Sequence, residues 1–430
     1  MTTEPAMPPV PDGRGKECIP FLEYHGLVAR VPPIRSSDFE LALNDPFRYY
    51  LTRRLGIVPA HSWSPALARG SWMHKCFEHD LFSSDEGLTL KVFNTLDNRI
   101  NELTETNKSL GIVGDSHRDL LARERLDVET SLGWYHAARS VKISDKHGTF
   151  PQFLSQLYWR ILARELPISH SSLLQPAKVP SSNGILDLLL HDTRHNTLWI
   201  LDLKSCSEPA VNRLSTCALE FQTQHYLHIL SNHINIPLWR RTYDLPDNVR
   251  IAGMMHLAIQ KPDIKFCNAD RNFREFEFIP NKGKKNQGIP RMEKEFFGEP
   301  VLANYIKRCQ QWYTGTGDYL HLAPERTVSP TVNISFSPIE KVLDQGGLIE
   351  YTSRMAFLEK LAMCPAYPAN FIRSASALRS FGKLSKYAPF ALTPPRLWPE
   401  IIEREGFIVA HREEETAHVE EDRQEEVSQE

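Results

Sequence analysis

No stretch of this 430-residue chain approaches the roughly 20 consecutive apolar positions that a membrane-spanning helix needs. Paired cysteines are missing too. Seven cysteines, at 18, 76, 206, 217, 267, 309 and 364, include no C-x-x-C, which argues for reduced thiols rather than a disulfide framework or structural zinc. Seventeen histidines form no H-E-x-x-H, so a zinc hydrolase has no motif to rest on. The opening MTTEPAMPPVPDGRGKE has no basic-then-apolar leader. Residues 1–35 are expected to be a disordered lead, and the protein to be cytoplasmic, with no membrane partner. Internal repeats are absent as well.

Charge of one sign is also lacking, with a net value of −3. The balance is uneven. Residues 411–430 hold nine acidic residues against two arginines, so the other 410 carry +4. A short charged tail with little apolar content is expected to be disordered. Positive charge gathers in three places: Arg48, Arg53 and Arg54; Lys282, Lys284, Lys285 and Arg291; and Arg373, Arg379, Lys383 and Lys386. The third run is interleaved with Phe371, Phe381, Tyr387 and Phe390, the mixture that single-strand binding surfaces use. Solvated loop lysine is the plainer account of the second.

What is present is most informative at Gly184–Ser205, GILDLLLHDTRHNTLWILDLKS. Two apolar runs flank the polar HDTRHNT, which predicts a hairpin. Asp187 interrupts the first run; Asp202 and Lys204 interrupt the second. Buried charges of this kind are costly unless paired or bound to an ion. Side chains alternate along a strand, so Asp202 and Lys204 share a face, and pairing can bring Asp187 alongside. Carboxylates suit Mg²⁺ or Mn²⁺, which keep water and phosphate as further ligands. A lysine there can position or deprotonate water, or neutralise charge on a phosphorus-centred transition state. A structural salt bridge between Lys204 and one aspartate is the plainer alternative.

These residues resemble the G-x-I-D … D-x-K-[ST] core of the PD-(D/E)xK nucleases, with Leu186 in place of isoleucine. The RecB-like exonuclease branch is the most similar. Gly70, His74 and Glu78 match its G-x-x-x-H-x-x-x-E helix, and Gln222 and Tyr226 its Q-x-x-x-Y helix. The segment from Ser37 to Leu51 resembles its serine-led opening helix. The resemblance implies an α/β, restriction-endonuclease-like mixed sheet core flanked by helices. It implies that Asp187, Asp202 and His74 hold the metal, that Lys204 orients water, and that Gln222 and Tyr226 support the lysine and touch DNA. Arg373, Arg379, Lys383 and Lys386 are further candidate DNA contacts. The implied activity is an exonuclease on DNA ends in recombination, repair or phage DNA processing, in a bacterial or phage-encoded protein with a recombination protein as its expected partner. Some members carry a [4Fe–4S] cluster, but Asp45-Pro46 stands where they have Cys-Pro, and the segment 367–390 has no cysteine, so no iron–sulfur cluster is expected.

Each accessory residue has a bland alternative. His74 can be a core or capping histidine, and Gln222 and Tyr226 can belong to an ordinary amphipathic helix. Glu165, before Leu-Pro, is either another carboxylate near the metal or, more plainly, a solvated helix end. The expected organisation is a nuclease core over 36–314 with a helical insertion at 85–165, then an irregular C-terminal extension over 315–410. Strands are expected at 173–204, 251–259 and 273–278, helix at 213–232, 292–313 and 347–364, and a long loop from Thr314 to Ile339. A phosphoesterase for small substrates and a non-catalytic DNA-binding or assembly protein on the same scaffold are the competing functions.

Overall fold

The computed structural model describes residues 16–59, 65–80, 85–109, 115–144, 146–170, 180–278, 291–365, 368, 371, 379–380 and 383–410. A six-stranded mixed sheet lies at its centre: β1 (Ile34–Arg35), β2 (Trp159–His170), β3 (Ser182–Asp192), β4 (Thr197–Cys206), β5 (Arg250–Gln260) and β6 (Val332–Pro338). The polar turn at 193–196 closes the antiparallel β3–β4 hairpin. β4 and β5 run parallel, and β6 lies antiparallel on the far edge.

β3 organises the sheet. β2 runs antiparallel along one edge of it from Ser182 to Asp192. The other edge is shared. β4 pairs with Leu188 to Asp192, and β1 pairs with Ser182 and Asn183. Residues 184–187 therefore have no strand partner on that edge, and the hairpin opens there like a fork.

Apolar layers cover both faces. On one, the helix Pro65–Asp80 buries Trp72, Met73, Cys76 and Phe77, the i, i+3, i+4 spacing of a single helix face. The helices Asp85–Ser109, Asp115–Arg139 and Leu302–Thr314 pack with it over Leu188, Leu190, Leu201 and Leu203. On the other, the helix Phe221–His233 packs Tyr226, Leu227 and Leu230 on Leu186, Leu189 and Ile200.

Several expectations need correction. Helix does not run through 85–165: β2 starts at Trp159 and is an integral strand. Its Ile161, Leu162 and Ala163 are compatible with either period, and sheet pairing decides. Residues 291–300 form a strand paired with Arg271–Phe278 rather than the start of a helix. The expected loop from Thr314 to Ile339 contains β6, so the sheet extends beyond residue 314.

The lead is not disordered where it is described. The helix Cys18–Tyr24 buries Cys18, Phe21 and Leu22 against Phe371, Phe390, Trp398 and Phe407. The strand Phe407–Val409 pairs with Ile57–Pro59, so the two ends of the described chain close on each other. Residues 1–15 and the acidic tail 411–430 lie outside the described residues.

Arg54 ties this satellite core together. It is 4% exposed and donates to the carbonyls of Arg30 (2.7 Å), Cys364 (2.9 Å) and Leu361 (3.4 Å). Asp45 caps the next helix back by accepting from the Arg48 N–H, with Pro46 at the first helical position. Replacing Arg54 with methionine strands these buried carbonyls. It is expected to cost about 2–3 kcal/mol in urea unfolding. A loss below about 0.5 kcal/mol, the size of an ordinary surface change, would refute this role.

Candidate active site

The fork between β3 and β4 is held by a side chain. Where backbone pairing stops, the Asp187 carboxylate takes the N–H of Leu203, with Oδ2 at 2.8 Å. The same oxygen lies 3.2 Å from His74 Nδ1 on the helix Pro65–Asp80. Gly70, one turn before His74, sits close to β4: a Cβ there would lie 3.3 Å from Ser205 Oγ.

Glu165 completes this group. In the β2–β3 register it falls between the pairs Arg164–Leu188 and Leu166–Leu186, directly across from Asp187. Its backbone is left-handed, with φ of 42°. Such a conformation is unfavourable for a glutamate and recurs where function holds a residue in place. Ligand atoms of His74, Glu165 and Asp187 all lie within 4.8 Å of one another.

The charges of this group act on one another. Burial raises the Glu165 pKa, and Asp187 and Glu78 raise it further by repulsion. Burial opposes the His74 cation, yet the hydrogen bond and charge of Asp187, with Asp202 and Glu165 behind it, hold its pKa above the ordinary 6.5. Two crowded carboxylates and one imidazole are a donor set that a hard divalent ion fits.

Asp202 is not the third member of that cluster. It is 2% exposed, and its Oδ2 lies 2.9 Å from Lys204 Nζ and 3.4 Å from His256 Nδ1. Burial works against its charge, but the Lys204 ammonium and His256 outweigh this and hold its pKa well below the usual carboxylate range. Lys204 gains in turn. Burial alone would lower its pKa, and Asp202 raises it above the ordinary value, so Lys204 is a cation at neutral pH. The expected same-face pair on β4 is present, but as an ion pair.

The helix Phe221–His233 braces it. Gln222 accepts from Lys204 Nζ through Oε1. Its amide nitrogen lies 3.4 Å from Asp202 Oδ1 and 3.2 Å from Tyr226 Oη. Tyr226 Oη is 3.3 Å from Ser36 Oγ, which joins β1 to the same chain. Gly184 makes room for this: a Cβ there would lie 2.5 Å from the Tyr226 ring. The position spaced four residues after Gln222 thus places its ring against the opening of the fork.

Of the two readings the sequence leaves for Glu165, a carboxylate of the site or a solvated helix end, the strand register favours the first, because Trp159–His170 is strand and not helix. One residue escapes the sequence reading. His256, fully buried, sits in register with Asp202 on β5 and has Nε2 3.3 Å from Thr223 Oγ1. The signal for it was available: a lone polar side chain within the apolar run Met254–Ile259, the same signature that marked Asp187 and Asp202.

The basic runs fare differently. Arg53 pairs with Asp38 at 2.8 Å, Arg54 is buried, and Arg48 stacks over Tyr387, 5.2 Å from its centroid. The aromatics expected to stack on DNA are core groups: Phe371, Tyr387 and Phe390 are buried against Tyr50, Phe407 and Trp398. Bulky rings next to an N-terminal helix gain more from packing than from exposure. Lys386 is exposed, and Arg379 and Lys383 stand on a two-residue ribbon, whereas Arg373, Phe381 and the run Lys282–Lys285 lie outside the described residues. None of the described helices is long and apolar enough to cross a membrane.

The balance at His74 is testable. Replacing Asp187 with asparagine removes the strongest of the charges that raise the His74 pKa and leaves Asp202 and Glu165 against burial. An NMR titration of His74 in EDTA should give a value above 6.5 in the wild type and a lower one in D187N. An unchanged titration would refute the pairing.

Residues 36–243 match the family model of the PD-(D/E)XK nuclease superfamily. No curated protein matches the chain.

Proposed function

With residues 36–243 belonging to the PD-(D/E)XK nuclease superfamily, we propose that this protein is a divalent-metal-dependent exonuclease that hydrolyses DNA at its ends. The observation that carries this reading is the fork itself. His74, Glu165 and Asp187 face one another on one side of it, and the Lys204–Asp202 pair, braced by Gln222, lies on the adjacent strand.

His74, Glu165 and Asp187 would hold Mg²⁺ or Mn²⁺, with Asp202 as a neighbouring carboxylate. When bound, such a cation neutralises charge on the scissile phosphate and acidifies the attacking water. Lys204, whose ammonium Asp202 stabilises, would orient water and stabilise negative charge at phosphorus. Asp202 keeps that ammonium charged. Gln222 fixes its direction, and Tyr226 fixes Gln222. Work at DNA ends, in recombination, repair or phage DNA processing with a recombination partner, follows from the likeness to the RecB-like branch.

The test is degradation of end-labelled linear DNA, single- and double-stranded, with Mg²⁺, Mn²⁺ or EDTA. Wild type should shorten the DNA only with metal, and the surviving label gives the polarity. Lys204→Ala, Asp202→Ala and Glu165→Gln should each reduce cleavage at least about a hundredfold while DNA binding is kept. Full activity in Lys204→Ala would refute the site. No degradation by wild type would favour a non-catalytic DNA-binding protein on this scaffold.

A further inference from the structure

Away from the fork, Arg271–Phe278 and Arg291–Pro300 form a two-stranded antiparallel ribbon that joins no other strand among the described residues. A lone ribbon is marginal in water, and its unpaired edges are templates for further pairing. Its base is fixed. Asp270 pairs with Arg308 at 2.7 Å, and its carbonyl accepts from the Val301 N–H at 2.9 Å. Beyond that base the strand is exposed from Asn272 to Glu277. Phe273, Phe276, Met292, Phe296 and Phe297 are each between 42% and 59% exposed. The charges between them answer one another across the ribbon: Arg274 Nε lies 2.6 Å from Glu295 Oε2, and Lys294 Nζ 3.9 Å from Glu275 Oε1. Clustered apolar groups of this size mark a surface that another molecule covers.

We propose that the occupant is a second copy of this chain, and that the two ribbons join edge to edge along Arg271–Phe278 around a two-fold axis at Phe273, as one continuous antiparallel sheet. Charge selects the register. When a strand pairs antiparallel with its own copy, opposed residues share a face and lie equally far on either side of the residue at the axis. An axis at Arg274, Glu275 or Glu277 sets like charges against each other, and one at Phe276 sets Glu275 against the partner's Glu277. An axis at Arg271, Asn272 or Phe278 engages only a short end of the strand. The Arg291–Pro300 edge is poorer: an axis at Glu293, Lys294 or Glu295 in its middle again joins like charges, and its pairing is irregular beyond Phe297. An axis at Phe273 sets Arg271 against the partner's Glu275, Glu275 against the partner's Arg271, and Arg274 against the partner's Asn272. No like charges meet. On that face the in-register pair Phe273–Phe296, with centroids 5.9 Å apart, runs on into the partner's Phe273 and the partner's Phe296 as one row of rings. In the next row Lys294, Glu275 and the partner's Arg271 alternate in sign.

The experiment is sedimentation of the full chain from about 1 µM to about 100 µM, where a small interface gives a measurable equilibrium. The wild type should pass from monomer to dimer. Glu275→Arg sets arginine against the partner's Arg271 and should weaken dimerisation at least about tenfold. Arg271→Glu combined with Glu275→Arg restores opposite charges at both pairs and should return it to within about threefold of wild type. Cross-linking reads the register without either charge. In a Cys267→Ser background, Phe273→Cys should form an interchain disulfide, with oxidised glutathione taking up the two electrons, because opposed Cβ atoms at the axis lie about 5 Å apart. Phe276→Cys, set off from the axis, should not. A monomer at every concentration would overturn the proposal and leave the ribbon to a different protein. A dimer that Glu275→Arg leaves intact and Phe273→Cys does not cross-link would overturn it as well, since the copies would then meet elsewhere. If the charge variants unfold, the cross-link decides. No step uses DNA or metal, so these outcomes stand apart from the nuclease reading.

Discussion

The Asp187 carboxylate on the Leu203 N–H is the contact on which the site depends. A β-hairpin would ordinarily continue its ladder, because an unpaired buried N–H is costly. Here a side chain replaces the missing carbonyl partner, so β3 and β4 can separate after Leu188 and Leu201 without leaving that donor unsatisfied. The gap admits the His74 helix on one face and the Tyr226 ring at its mouth. Without that substitution, zipping the hairpin further would close the space in which the charged groups meet.

Around the fork, the protein separates its charges into two groups. The carboxylates of Asp187 and Glu165 repel each other, and the positive charge of Lys75 and His74 near Glu165 does not offset this repulsion and its burial. Asp202 has the opposite surroundings, with Lys204 and His256 both against it. Carboxylates on neighbouring strands thus differ in their surroundings: one pair crowds its negative charge, and the other residue holds an ammonium. The division follows from strand placement, since β2 and β3 carry the first group and β4 and β5 the second.

The chain ends are organised by packing. The helix Cys18–Tyr24, the strand Ile57–Pro59 and the segment from Ser385 to Val409 form one apolar cluster, with the Arg54 guanidinium binding carbonyls from both ends. That cluster claims the aromatics which, by composition, resembled a nucleic-acid surface. Aromatic residues between basic ones suit both uses, and only the position of the N-terminal helix distinguishes them. A cavity beside Tyr226 shows the same dependence, because its walls come from separate segments between Arg35 and Tyr226.

The sequence by itself determined the β3–β4 hairpin, its charged interruptions and the spacing of Gln222 from Tyr226. These are short-range patterns whose period and polarity are complete within a few residues. It also marked His74 on a helix, since Trp72, Met73, Cys76 and Phe77 supply that helix with its own buried face. Only the tertiary structure decided that Glu165 stands opposite Asp187, that His256 backs Asp202, and that Asp202 turns to Lys204 instead of joining the His74 cluster. Those relations depend on strand register between segments distant in the chain. A one-residue slip would send each side chain to the other face, and local propensity does not encode that choice.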